Sequence, residues 1–114
     1  MVLEQGERVH VIFRRLFEMD LRRHFIGEIV AVGDSTVKVR GRAVVLDSTT
    51  NQYEIKADTR TRIVSLTDAL NVINILPPEA SIDDVKYVMS HDKRLTVTDG
   101  ETFTLDINEF STVR

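Results

Sequence analysis

Three histidines, a stretch rich in arginine and an acidic C-terminal third are the groups of this 114-residue chain with chemical potential. His10, His24 and His91 stand far apart, and none is joined to another ligand at helical or short-loop spacing, so their placement predicts no metal site. Ser90-His91-Asp92 has the residue types of a nucleophilic triad. Consecutive side chains diverge, however, whereas a nucleophile and its base must lie within about 3 Å. The segment reads as a helix end, with Asp92 entering a turn. Asp83-Asp84 falls at a predicted helix start, where carboxylates complement the dipole. Arg40-Gly41-Arg42 has one glycine inside a strand pattern and makes no phosphate loop. The expectation is a non-enzymatic protein with no cofactor and no metal.

The basic residues carry the alternative. Net charge is −3, yet Arg14 to Arg42 holds seven basic side chains against four acidic, while the chain from Glu79 onward holds four against eight. Arg22, Arg23, Lys38, Arg40 and Arg42 are the candidate nucleic-acid contacts, because adjacent strands can align them on one face to meet phosphates. Single-strand readers also use aromatic platforms. There is no Trp, and most of the seven Phe and Tyr residues sit at core parity. A protein partner is therefore favoured slightly over single-stranded RNA, and both readings stay open.

These groups must be positioned by strands. From Thr36 to Leu46, Val37, Val39, Gly41, Ala43 and Val45 alternate with Thr36, Lys38, Arg40 and Arg42, the period-2 pattern of a strand with one wet face. Turn residues flank it, Gly33-Asp34-Ser35 before and Asp47 to Asn51 after, so its neighbours fold back as hairpins. Glu7 to Phe17 fits a first strand ending at Glu18-Met19-Asp20; helical spacing also fits, but β-branched and aromatic residues crowd Val9 to Phe13. Leu21 to Val32 is the second strand, with Gly27 permitting a sharp bend. A fourth runs from Tyr53 to Leu66, and a fifth from Leu70 to Leu76 is stopped by Pro77-Pro78. Beyond the prolines, Ser81 and Asp84 resemble a capping box opening a short helix to Ser90. Arg94 to Thr98 and Thr102 to Ile107 then form a hairpin whose apolar residues are all odd-numbered, so odd must face odd; a three-residue loop with Gly100 left-handed satisfies this.

Glu7-Arg8-Val9-His10-Val11, Gly27-Glu28-Ile29 leading to an Asp-bearing turn and Val37, and a β-branched strand closing in Leu76-Pro77 together resemble the Sm-like barrel of LSm proteins and of bacterial Hfq. The resemblance covers residues 7–77. It implies a ring whose subunits join through the fourth and fifth strands, with RNA held by loops after the second and fourth. The turn aspartate, Asp34, falls one residue late, Lys38 stands where the family places a base-contacting Asn, and Ser65-Leu66-Thr67-Asp68 replaces a basic pair.

The fold expected is thus a single, mainly all-β domain over residues 1–114: a five-stranded SH3-like or Sm-like barrel (7–77) with a short helix and a C-terminal β-hairpin (79–114). Val72, Ile73 and Ile75 put apolar groups on both faces of the fifth strand, which marks it as the oligomer edge unless the chain's own hairpin covers it. The function expected is an oligomeric binding or assembly module, a homo-oligomer with a possible protein partner. The chain has no cysteine, no apolar run reaches the ~18–20 residues of a membrane span, and Met1 to Gly6 is too polar for a signal peptide, so a cytoplasmic protein with no membrane association is expected.

Overall fold

Side-chain branching decides the first element: the stretch that fits both periodicities is a strand, β1 (Arg8–Phe13). The computed structural model describes residues 2–15, 22–47, 49–67 and 71–107. The expected boundaries at Phe17 to Leu21, the turn residue Ser48, and Asp68 and Leu70 lie outside the described residues. The chain divides at the two prolines into two compact units, Met1–Pro78 and Glu79–Arg114.

In the first unit β1 is followed by β2 (Arg23–Val32), β3 (Thr36–Asp47), β4 (Gln52–Ile55), β5 (Arg60–Ser65) and β6 (Asn71–Ile75). The antiparallel order is β4-β3-β2-β1-β6, with β5 also on β3. The five strands expected are six, because the fourth breaks in two along one edge of the twelve-residue β3. Val44 faces Ile55 and Gly41 faces Arg60, so Lys56 to Thr59 oppose only Arg42 and Ala43. Those two surplus residues push the strand out as a bulge. Nor do the described residues show a closed barrel, since no ladder joins β5 to β6.

The core lies on the odd-numbered face of β1, β2 and β3. Val9, Val11, Phe25, Ile29, Val37, Val39 and Ala43 meet there with Leu3 and with Val64 of β5. Gly27 and Gly41 sit opposite one another in the middle of this layer. A Cβ on Gly27 would fall 2.2 Å from the Arg40 carbonyl oxygen, and one on Gly41 would fall 1.9 Å from that of Ile26. Only the absence of both side chains lets β2 and β3 cross this closely. Where a bend was expected at Gly27, the register runs on unbroken and the glycine is one half of a close-approach pair. The bulge of β2 is separate, at the register shift between Ile29 and Ala31.

The second unit corrects the expected helix and hairpin. Ile82–Asp84 is a single 3-10 turn, Val85 is already extended at φ −69° and ψ 138°, and the chain continues as β7 (Lys86–Met89). Ser81 does meet Asp84, its hydroxyl donating to the carboxylate at 2.7 Å, but no helix is capped. Instead the Ser81 amide donates to Asp99. Val85, Tyr87 and Val88 favour the strand, where their branched and aromatic side chains keep rotamer freedom. β7 pairs with β8 (Leu95–Thr98), and β8 pairs with β9 (Thr104–Asp106). Ser90-His91-Asp92 accordingly belongs to a hairpin turn closed by Ser90 and Arg94, with Lys93 at φ 66°. In the β8–β9 ladder Val97 faces Leu105, odd against odd, and Gly100 has φ 88°. The connection is longer than three residues because the buried Asp99 carboxylate accepts from the amides of Glu101 (2.9 Å), Thr102 (2.7 Å) and Phe103 (3.3 Å) and from the Thr102 hydroxyl. Burial alone would raise the pKa of this carboxyl, but the Thr102 hydroxyl and the surrounding amides hold it well below the ordinary carboxylate range.

Replacing Gly41 by alanine is expected to destabilise the protein by at least about 3 kcal/mol, the upper end of ordinary overpacking costs. The same change at exposed Gly33 should cost far less. Urea midpoints measure both, and equal midpoints would contradict the close crossing.

Candidate functional site

Register decides which basic residues gather. Lys38 and Arg40 are exposed and Arg42 half-buried, all on the even face of β3. Across the ladder Arg40 faces Glu28, which dilutes the positive face. Arg23 faces Val45 and Phe13, so it lies on the opposite, core-bearing face. Arg22 precedes β2 and reaches Tyr53 by a side-chain hydrogen bond. The five expected contacts are thus divided between two faces.

Arg23 has other company instead. Arg62 faces Val39 and Arg60 faces Gly41, so both share the core face with Arg23. At this end of the sheet a groove of about 490 Å³ is bordered by Phe13, Arg23, Ala43, Val45, Arg60 and Arg62, with Lys56, Ala57 and Asp58 of the bulge and His24 completing it. Arg62 lies over the Phe25 ring, 5.6 Å from its centre, a cation–π contact that holds the guanidinium at the groove. Arg60 is 3.6 Å from Asp58, and Lys56 is 3.4 Å from Glu54. Both pairs are exposed and hold their cations weakly. The arrangement can bind an anion. The signal for Arg60 and Arg62 was their two-residue spacing, which sets both on one face of any strand.

The reverse face buries a different cluster. His10 and His24 meet edge to face at 5.0 Å, and His24 stacks on Tyr53 at 5.0 Å. They are adjacent because Ile12 faces His24 and His10 faces Ile26, a diagonal that no linear spacing shows. Asn74 of β6 places its side-chain nitrogen 3.5 Å from His10 Nδ1. Burial, with a smaller push from His24, lowers His10 from 6.5 to about 3; burial, with Arg22 adding to it, lowers His24 to about 4. Burial also raises Tyr53, against the pull of Arg22. Both imidazoles are buried and neutral at pH 7. Among the described residues no group of three or more His, Asp or Glu comes together as a cation site.

Of the expected oligomer edge, Ile73 packs against the core, Val72 is half-buried, and Ile75 is 53% exposed. β6 pairs only with β1 among the described residues. No described helix is long and apolar enough to cross a membrane. Comparison with family models, curated proteins and solved structures finds no match.

The histidines fix the acid limit of the fold. Because both folded-state values lie below 6.5, the unfolded chain binds more protons, and stability is complete above pH 6.5 and lost as pH falls toward 4 and 3. By pH 5, above most carboxylate titration, the loss should be on the order of 3 kcal/mol. Urea unfolding at pH 7 and pH 5 measures it. His24→Phe, which keeps the ring stack, should flatten the dependence, and a midpoint indifferent to pH would contradict the burial of these imidazoles.

Proposed function

We propose that the chain is a non-enzymatic binding and assembly module, an SH3-like barrel variant of Sm-like type that associates with copies of itself through the edges of its six-stranded sheet. The observation that carries this reading is β6. Its outer edge is unpaired among the described residues, its sequence Asn71-Val72-Ile73-Asn74-Ile75 contains no charge or proline, and Ile75 is exposed. Natural edge strands are usually blunted by lysine, proline or a covering element. At the other margin β5 also pairs on one side only among the described residues and presents Ile63, 69% exposed. These correspond to the strands through which the Sm-like resemblance joins neighbouring subunits. Pairing of β6 with β5 of the next copy is heterologous and makes a ring if the rotation closes. A cytoplasmic setting accords with the absence of cysteine.

A second reading, RNA binding, is favoured by Lys38 and Arg40, both exposed on one face of β3. It is independent of assembly.

Light scattering at micromolar concentration should give a multiple of the chain mass, and Ile75→Lys should reduce it to one chain without loss of the β-type circular dichroism. A monomeric parent would remove the assembly reading. For RNA, titration with a single strand at low salt should show binding that weakens at least about tenfold in Lys38→Glu with Arg40→Glu. Equal affinity in parent and variant would remove that reading.

A further inference from the structure

Core-face positions of a sheet are ordinarily apolar, and an arginine is placed there only where its head can reach water or an anion. Three occupy such positions at one end of this sheet. Arg23 enters from β2 and Arg60 and Arg62 from β5, and all three are exposed. They border the groove that the Lys56–Thr59 bulge opens beside Ala43. Lys56 adds a fourth cation; the carboxylates beside these groups are Asp58 at the groove and Glu54, which pairs with Lys56. The wall between them is apolar, formed by the half-buried Phe13 ring with Ala43 and Val45.

We propose that this groove binds one nucleotide unit, its phosphate among the guanidiniums of Arg23, Arg60 and Arg62 and its base against the Phe13 side. Planar guanidinium forks match phosphate oxygens two at a time, which a scattered lysine surface does not. Phe13 packs against the core and borders the groove, and an aromatic side chain there supplies a stacking surface that tolerates any base. The volume, about 490 Å³, suits a ligand of this size. The same chemistry is offered by a free nucleoside phosphate and by the terminal nucleotide of a single strand. The site lies on the face opposite Lys38 and Arg40, so it does not rest on RNA binding there; Arg60 and Arg62 belong to β5, one of the strands of the assembly reading, but the groove is built within one chain.

The test is calorimetric titration of the full chain at low salt with adenosine monophosphate, inorganic phosphate and a short oligouridine. The nucleotide should bind, with inorganic phosphate at least about tenfold weaker because it lacks the stacked base. Arg23→Gln with Arg60→Gln should weaken nucleotide binding at least about tenfold, while Lys86→Gln with Lys93→Gln, exposed residues of the second unit, leaves it within about twofold. Both groove arginines are exposed, and an unchanged thermal midpoint certifies the variant's fold. Lys56→Gln, with a smaller loss, is the second arm. Binding of the oligouridine alone, with the same arginine dependence, supports the site and assigns it to strand ends. The proposal is overturned if neither nucleotide nor oligouridine binds, if phosphate binds as tightly as the nucleotide, or if the Lys86 and Lys93 variant loses as much as the groove variant.

Discussion

Two backbones that touch without side chains between them organise the larger unit. At Gly27 and Gly41 the strands β2 and β3 approach until a Cβ on either would enter the carbonyl of the other strand. Around that close crossing Phe25 and Ile29 on one strand and Val39 and Ala43 on the next join the same cluster as Val9 and Val11. Register fails at the far edge of β3. The strand facing it does not keep register past Gly41, and the slack of two residues appears as the Lys56–Thr59 bulge. The groove is built where the ladder fails.

The two units solve the burial of polar groups in opposite ways. In the larger one, His10 and His24 are kept neutral, since burial disfavours an imidazolium and each histidine has a positive or titratable neighbour. In the smaller one, Asp99 stays ionised although buried, because three amides of its own loop, the Ser81 amide and the Thr102 hydroxyl all donate to it. Neutralisation suits a site with aromatic neighbours and few donors. Ionisation suits a loop whose orphan amides need an acceptor. The larger unit therefore begins to lose stability as pH falls through 6.5, and the smaller only as pH falls below the ordinary carboxylate range.

The basic residues show why charge counted along a chain is a poor map of charge in space. Between Arg22 and Arg42 the sequence looks like one positive stripe. The pleat sends Arg23 to one face and Lys38, Arg40 and Arg42 to the other, and Glu28 answers Arg40 directly. Arg60 and Arg62, two strands later, then join Arg23.

How much of this was legible follows from the range of the interactions involved. Period-2 alternation from Thr36 to Leu46, the stop at Pro77-Pro78, the odd-with-odd register of the last two strands and the left-handed Gly100 were all present in the residues themselves. Each is set by sterics or by hydrophobic burial within a few positions. The Ser81 to Ser90 segment misled, because its apolar spacing satisfies a helix as well as a strand, and β8 lying beside it decided for the strand. The glycine pairing, the division of the fourth strand, the meeting of His10 with His24 and the arginine groove came only from tertiary structure. All four depend on which residue of one strand stands opposite which residue of another, and that register is selected by packing the whole sheet at once, which no single segment encodes.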